Sequence, residues 1–173
     1  MVATAIVSDP QNTAVLGHFC SQGLAPALPI YEDANVVTIS GSATAAALPS
    51  LGPDVFNRTA VEDPDFDSWY PLVTARPSDL GFRQSYESEF GAPPLDFTDL
   101  YFDAASLLLR HLQQVSRIAH ENLVIKRAAL ATAMRSTTNY QGVTCTITLD
   151  PATGNRIDDP AALARCAGAI RSH

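Results

Sequence analysis

Charged residues are sparse in this chain. Only 17% of its 173 residues are Asp, Glu, Lys or Arg, while 46% are hydrophobic. Intrinsic disorder needs the opposite balance, so this composition specifies a chain that buries a core. Cations are scarcer still. The 11 Lys and Arg against 18 Asp and Glu leave a formal net charge of −7. A nucleic-acid surface needs a basic footprint, so nucleic acid is excluded as a partner. Moderate negative charge favours solubility and names no partner. No apolar run reaches the length of a membrane-spanning helix. The opening MVATAIVSDP lacks the basic segment of a secretory signal. Internal repeats and low-complexity segments are absent, and the length suits one domain. No second His/Cys pair sits at zinc spacing, so neither a metal nor another cofactor is expected.

Cysteine is also scarce, and odd in number: Cys20, Cys145 and Cys166. Two readings stand. Cys145 and Cys166 flank a strand–turn–helix segment and bridge if the last helix packs back on that strand, leaving Cys20 over. Otherwise all three are thiols.

The most organised stretch runs over residues 14–44. An apolar run at 14–19 ends in a turn, residues 22–34 are long enough for a helix, and residues 35–39 form a second run rich in β-branched residues. Strands so far apart in sequence form a βαβ crossover rather than a hairpin. Ligands of such units bind outside the carboxyl ends of the strands. Both ends here carry hydroxyls and small residues: HFCSQ after the first run and SGSAT after the second. A third strand is expected at 55–58. Helices are expected at 2–7, at 78–90 capped by Ser78 or Asp79 and closed by Gly91, and from Asp96 or Thr98 to about Ala119 with an apolar stripe through Tyr101, Ala105, Leu108, Leu112, Val115 and Ala119. Another helix is expected at 123–135. Residues 142–149 alternate as a half-buried strand, a turn at 150–155 returns through Arg156 and Ile157, and a last helix is expected at 160–170.

GHFCS, PIYED and VVTISGSAT, followed by FRQSYESEFGAPP, LYFDAASLLL and YQGVTCTITLDPATGNR, resemble in order the periplasmic solute-binding proteins of the leucine/isoleucine/valine type. The resemblance implies an α/β fold, a largely parallel sheet flanked by helices, corresponding to a truncated lobe of a type I periplasmic binding protein. It divides the chain into a first lobe-1 segment at 1–61, an acidic link at 62–68 in place of the second lobe, and a returning lobe-1 segment at 69–173. The family's opening βαβ unit is also absent. It further implies an extracytoplasmic solute-binding domain of branched-chain amino acid ABC transport, not an enzyme. The expected partners are a small amino-acid or amide ligand and a transporter permease. Ser21, Ser42 and Thr44 match positions that hold the ligand's α-carboxylate and α-amino group. Family members often bridge the position of Cys20 to the preceding helix, which has no cysteine here. With one lobe gone, ligand affinity is expected to be weak. The uncovered edge beside residues 14–19 favours a homodimer, and an assembly module is the alternative function.

Each candidate has a plainer reading. Ser21, Ser42 and Thr44 are also good helix caps. His18 and Cys20 suggest a thiol–imidazole pair, but no third group orients them. Trp69 and Tyr70 suit a hinge platform or ordinary packing. Asp99 and Asp103 read as a solvated face near a helix start. Asn57-Arg58-Thr59 matches a glycosylation sequon of little weight.

Overall fold

A computed structural model describes residues 2–62 and 80–157. Strands β1 (Ala14–Leu16), β2 (Val37–Ser40) and β3 (Phe56–Arg58) form a parallel sheet in the order β1-β2-β3. Ala14 lies opposite Val37, and Thr38 opposite Phe56. All four residues of β2 are buried. A strand covered on both faces reads as an unbroken buried run rather than an alternating one.

Short helices α1 (Val2–Ser8), α2 (Ser21–Leu24), α3 (Leu28–Asp33) and α4 (Leu48–Leu51) supply the first core. There Ala3, Leu24, Leu28, Tyr31 and Leu48 pack with Val36, Val55 and Phe56. The expected helix at 22–34 is two helices. Pro26 removes a backbone donor between them, and Pro29 opens the second.

A second core lies on the other face of β2. Val37 and Ile39 pack against α6 (Thr98–Val115), α7 (Arg127–Arg135) and β7 (Cys145–Leu149) through Ala104, Leu107, Leu130, Met134 and Ile147. Helix α5 (Leu80–Phe90) precedes this layer and ends at Gly91, whose φ is 69°. That left-handed conformation suits the glycine closing a helix.

Strands β6 (Tyr140–Gly142), β7 and β8 (Arg156–Ile157) form an antiparallel sheet, with Leu149 opposite Arg156. Cys145, Ile147 and Leu149 are buried on one face of β7 while Thr146 and Thr148 are half-buried, as the alternation requires. The Arg58 N–H donates to Gly154 O at 3.0 Å and ties this sheet to β3.

Several boundaries differ from the sequence reading. The long helix stops at Val115, and 117–124 is a hairpin of β4 (Arg117–Ala119) and β5 (Asn122–Val124). His120 and Glu121 turn it with φ of 50° and 65°. The next helix therefore starts at Arg127. The strand expected at 142–149 is broken by a tight turn at Val143 and Thr144. The buried face of α6 runs through Leu100, Asp103, Ala104, Leu107, Leu108 and His111, about one residue off the expected stripe. Counting apolar positions misses it because two polar side chains with partners lie on it.

Asp103 is the clearest correction. It is fully buried, not solvated. Its carboxylate accepts Val143 N–H at 2.8 Å, Thr144 N–H at 2.9 Å and the Thr144 hydroxyl at 2.5 Å, pinning the β6–β7 turn. Burial pushes its pKa up, against these hydrogen bonds and the nearby Arg156. Asn57 is also fully buried, so the sequon is inaccessible in the folded chain. Cys145 is disulfide-bonded and Cys20 is an exposed free thiol. Cys166, Trp69, Tyr70, residues 63–68 of the acidic link, the cap at Ser78 or Asp79 and the helix at 160–170 lie outside the described residues.

Candidate functional site

The carboxyl ends of β1 and β2 lie side by side because the strands are parallel neighbours. The two loops leaving them meet. Ser21 begins α2, and its hydroxyl oxygen accepts the N–H of Thr44 at 3.0 Å and of Ala45 at 3.2 Å. Both lone pairs are then used, so Ser21 faces anything above the loop as a donor. Thr44 is buried, and its hydroxyl makes no hydrogen bond to a described residue. Ser42 sits beside them and donates to Phe19 O at 2.6 Å. The structure thus brings Ser21 and Thr44 into contact and sets Ser42 alongside.

A second row of hydroxyls braces the loop from below. Ser40 donates to His18 O at 2.7 Å and accepts Ser42 N–H and Ala43 N–H. The Tyr101 hydroxyl lies 3.0 Å from the Ser42 hydroxyl and 3.1 Å from His18 O. Tyr101 donates to His18 O and Ser42 donates to Phe19 O, which leaves acceptor capacity on both hydroxyl oxygens. Gly41 admits this ring: a Cβ there would meet the Tyr101 ring at 2.8 Å. Phe19 stacks on Tyr101 at 6.4 Å and meets Phe97 edge-on at 5.7 Å, forming an exposed aromatic lip.

An open groove of about 730 Å³ lies next to the hydroxyls and shares Tyr101 with them. Phe82, Tyr86, Phe90 and Phe102 form its apolar wall. Sequence reasoning placed Tyr101 in an apolar stripe and missed its hydroxyl. The available signal was its position in the first turn of a helix.

Arg58 was missed as well. It is fully buried at the end of β3, where its guanidinium donates to Ala43 O, Ala45 O and Glu62 Oε2. Burial lowers its pKa to about 10, with Glu62 opposing, so it stays charged at neutral pH. A charge inside a three-residue buried strand was the signal.

The thiol–imidazole reading finds no geometry. The His18 Nε2 pairs with the Tyr31 hydroxyl at 3.0 Å, and no contact joins it to Cys20. Burial lowers the His18 pKa and favours the neutral ring. Among the described residues no His/Cys/Asp/Glu group is arranged to hold a metal, and no helix is long and apolar enough to cross a membrane.

This parallel sheet with helices on both faces matches the fold of type I periplasmic binding proteins, as its similarity to solved structures shows. Three of the solved structures that share it are as follows. A protein of branched-chain amino acid ABC transport from Rhodospirillum rubrum aligns with a TM-score of 0.73 at 15% identity, covering 91% of this chain and 79% of that one. An ABC transporter substrate-binding protein from Desulfitobacterium hafniense, in complex with Leu, aligns at 0.68 and 16% identity, covering 91% and 82%. The branched-chain amino acid binding protein LivJ of Streptococcus pneumoniae, in complex with isoleucine, aligns at 0.67 and 14% identity, covering 91% and 77%. No family model and no curated protein matches the sequence.

Proposed function

We propose that this chain is an extracytoplasmic solute-binding domain related to branched-chain amino acid ABC transport, taking a small amino acid or amide at Ser21, Ser42 and Thr44. The meeting of Ser21 and Thr44 across two strand-end loops carries this reading. Ser21 offers a proton because two amides hold its lone pairs. Thr44 offers a hydroxyl without a described partner, and Ser42 and Tyr101 offer acceptor oxygen beside it. Donors facing a carboxylate and acceptors facing an ammonium match the two charges of an amino acid. In this reading segments 1–61 and 69–173 belong to one lobe, and 62–68 stands in place of the other. A single lobe leaves much of the ligand wet, so binding is weak. The role is binding, with a permease as partner, rather than catalysis.

The test is a thermal-shift series with leucine, isoleucine and valine. A Kd near 1 mM and 10 mM ligand give about 1.4 kcal/mol of stabilisation by mass action. For a domain of this size that is roughly 3–6 °C. No shift with any of the three sinks the solute-binding reading. Submicromolar affinity for the monomer sinks the claim that binding is weak.

A second reading, a homodimeric assembly module, is favoured by β1. It is an edge strand among the described residues, with Leu16 46% exposed. Exposed strand edges invite pairing. Light scattering across a dilution series tests it, and a monomeric mass at high micromolar concentration removes it.

A further inference from the structure

We propose that Arg58 is the positioning residue of the Thr44 loop, holding it in the shape that presents Ser21, Ser42 and Thr44 and fastening it to the chain's exit from β3 at Glu62. This rests on the solute-binding reading for its link to a ligand, and on geometry alone for its link to the loop.

The guanidinium stands beneath the loop. Its Nη1 donates to Ala43 O at 3.4 Å and to Ala45 O at 3.2 Å, the carbonyls on either side of Thr44. From the opposite side Ser21 accepts the amides of Thr44 and Ala45. The peptide units around Thr44 are therefore held by their carbonyls from β3 and by their amides from α2. Its Nη2 donates to Glu62 Oε2 at 2.7 Å, and the same oxygen accepts Asn155 Nδ2 at 2.7 Å. One planar group thus joins the candidate ligand loop, the connection leaving the sheet and the turn before β8.

Stability alone does not account for this arrangement. Arg58 is fully buried, and its Nε finds no partner among the described residues. A buried donor left unpaired is unfavourable. Among the described residues the two outer nitrogens of Arg58 reach three acceptors in two directions. Only the rigid fork of arginine spans such a set. A lysine ammonium carries the charge but reaches from a single point.

The experiment is native-state hydrogen exchange by NMR on the ligand-free protein, comparing wild type, Arg58→Lys and Glu62→Gln. The readout is the ratio of exchange at the Thr44 and Ala45 amides to that at the Thr38 and Leu130 amides. The latter two bond to Val55 O and Lys126 O away from the loop. Arg58→Lys is expected to raise this ratio at least tenfold. Glu62→Gln keeps the guanidinium but not its ion pair, and is expected to raise the ratio at least threefold, which keeps the test decisive if Arg58→Lys does not fold. Loop amides that stay within twofold of wild type, or that speed up only in step with Thr38 and Leu130, overturn the proposal. Calorimetry with L-leucine then separates the two claims. If wild type binds leucine, Arg58→Lys is expected to weaken Kd at least tenfold, and unchanged affinity overturns the link to the ligand. If wild type does not bind, the solute-binding reading loses support while the exchange ratio still decides the role of Arg58.

Discussion

Replacing Ser21 with alanine is the sharpest probe of the candidate site. The change deletes one oxygen and leaves the amides of Thr44 and Ala45 without their acceptor. Each net hydrogen bond contributes roughly 0.5–1.5 kcal/mol, and an unmet donor costs more as it becomes more buried. Both contacts are only partly buried, so the sum is about 1–2.5 kcal/mol. In a chain of this size 1 kcal/mol moves Tm by roughly 2–4 °C, which gives a fall of about 2–10 °C. The assay is urea unfolding with a shared m-value, since a changed slope would mean an altered ensemble rather than lost bonds. Ser21→Thr retains the oxygen and is expected to recover most of the loss. If Ser21→Ala unfolds within about 0.3 kcal/mol of wild type, the two amide contacts contribute nothing and the loop is not held from α2. If Ser21→Ala loses stability and Ser21→Thr does not recover it, the effect belongs to packing and not to the hydroxyl.

Asp103→Ala removes the acceptor of three hydrogen bonds at the β6–β7 turn and leaves buried Arg156 without its neighbouring charge. A loss of about 3–5 kcal/mol in urea unfolding is expected, and less than 1 kcal/mol would mean that the carboxylate is dispensable. Gly154 has φ of 70°, and a Cβ there would lie 2.0 Å from Phe56 O, so Gly154→Ala is expected to cost at least about 2 kcal/mol by circular-dichroism melts. Burial lowers the pKa of both His18 and His111 from 6.5. The folded chain therefore binds fewer protons than the unfolded chain below that value, and stability falls as pH drops through it. Urea unfolding at pH 7.5 and 5.5 is expected to show the loss, and His111→Gln to reduce it; an identical loss in the variant would clear His111.

Much of the fold was legible because it is written in near neighbours. Apolar runs with turn residues between them marked β1, β2 and β3, and alternation marked the buried face of β7. Gly91 marked the end of α5. The sequence also pointed to the two strand-end loops, since parallel strands in a βαβ unit direct their carboxyl ends the same way. What failed locally failed for physical reasons. Pro26 and Pro29 divide a span that length alone reads as one helix. The segment 117–124 has the composition of a helix end, yet it pairs with itself as a hairpin.

The polar interior was decided by tertiary structure. Asp103 bonds to Thr144, 41 residues away, and His111 to Thr137, 26 residues away. Neither partner is visible in a window of one helix, so each side chain looks solvated until the turn of β6–β7 or the end of α7 arrives. Arg58 is the same case at the candidate site: its acceptors at Ala43 and Ala45 are backbone carbonyls, which every residue carries and no sequence motif distinguishes. The amino-acid order determined which segments are strands and helices and where the two strand-end loops begin. Only the folded chain determined which charges go inside, because burying a charge is favourable only once distant groups have come together to satisfy it.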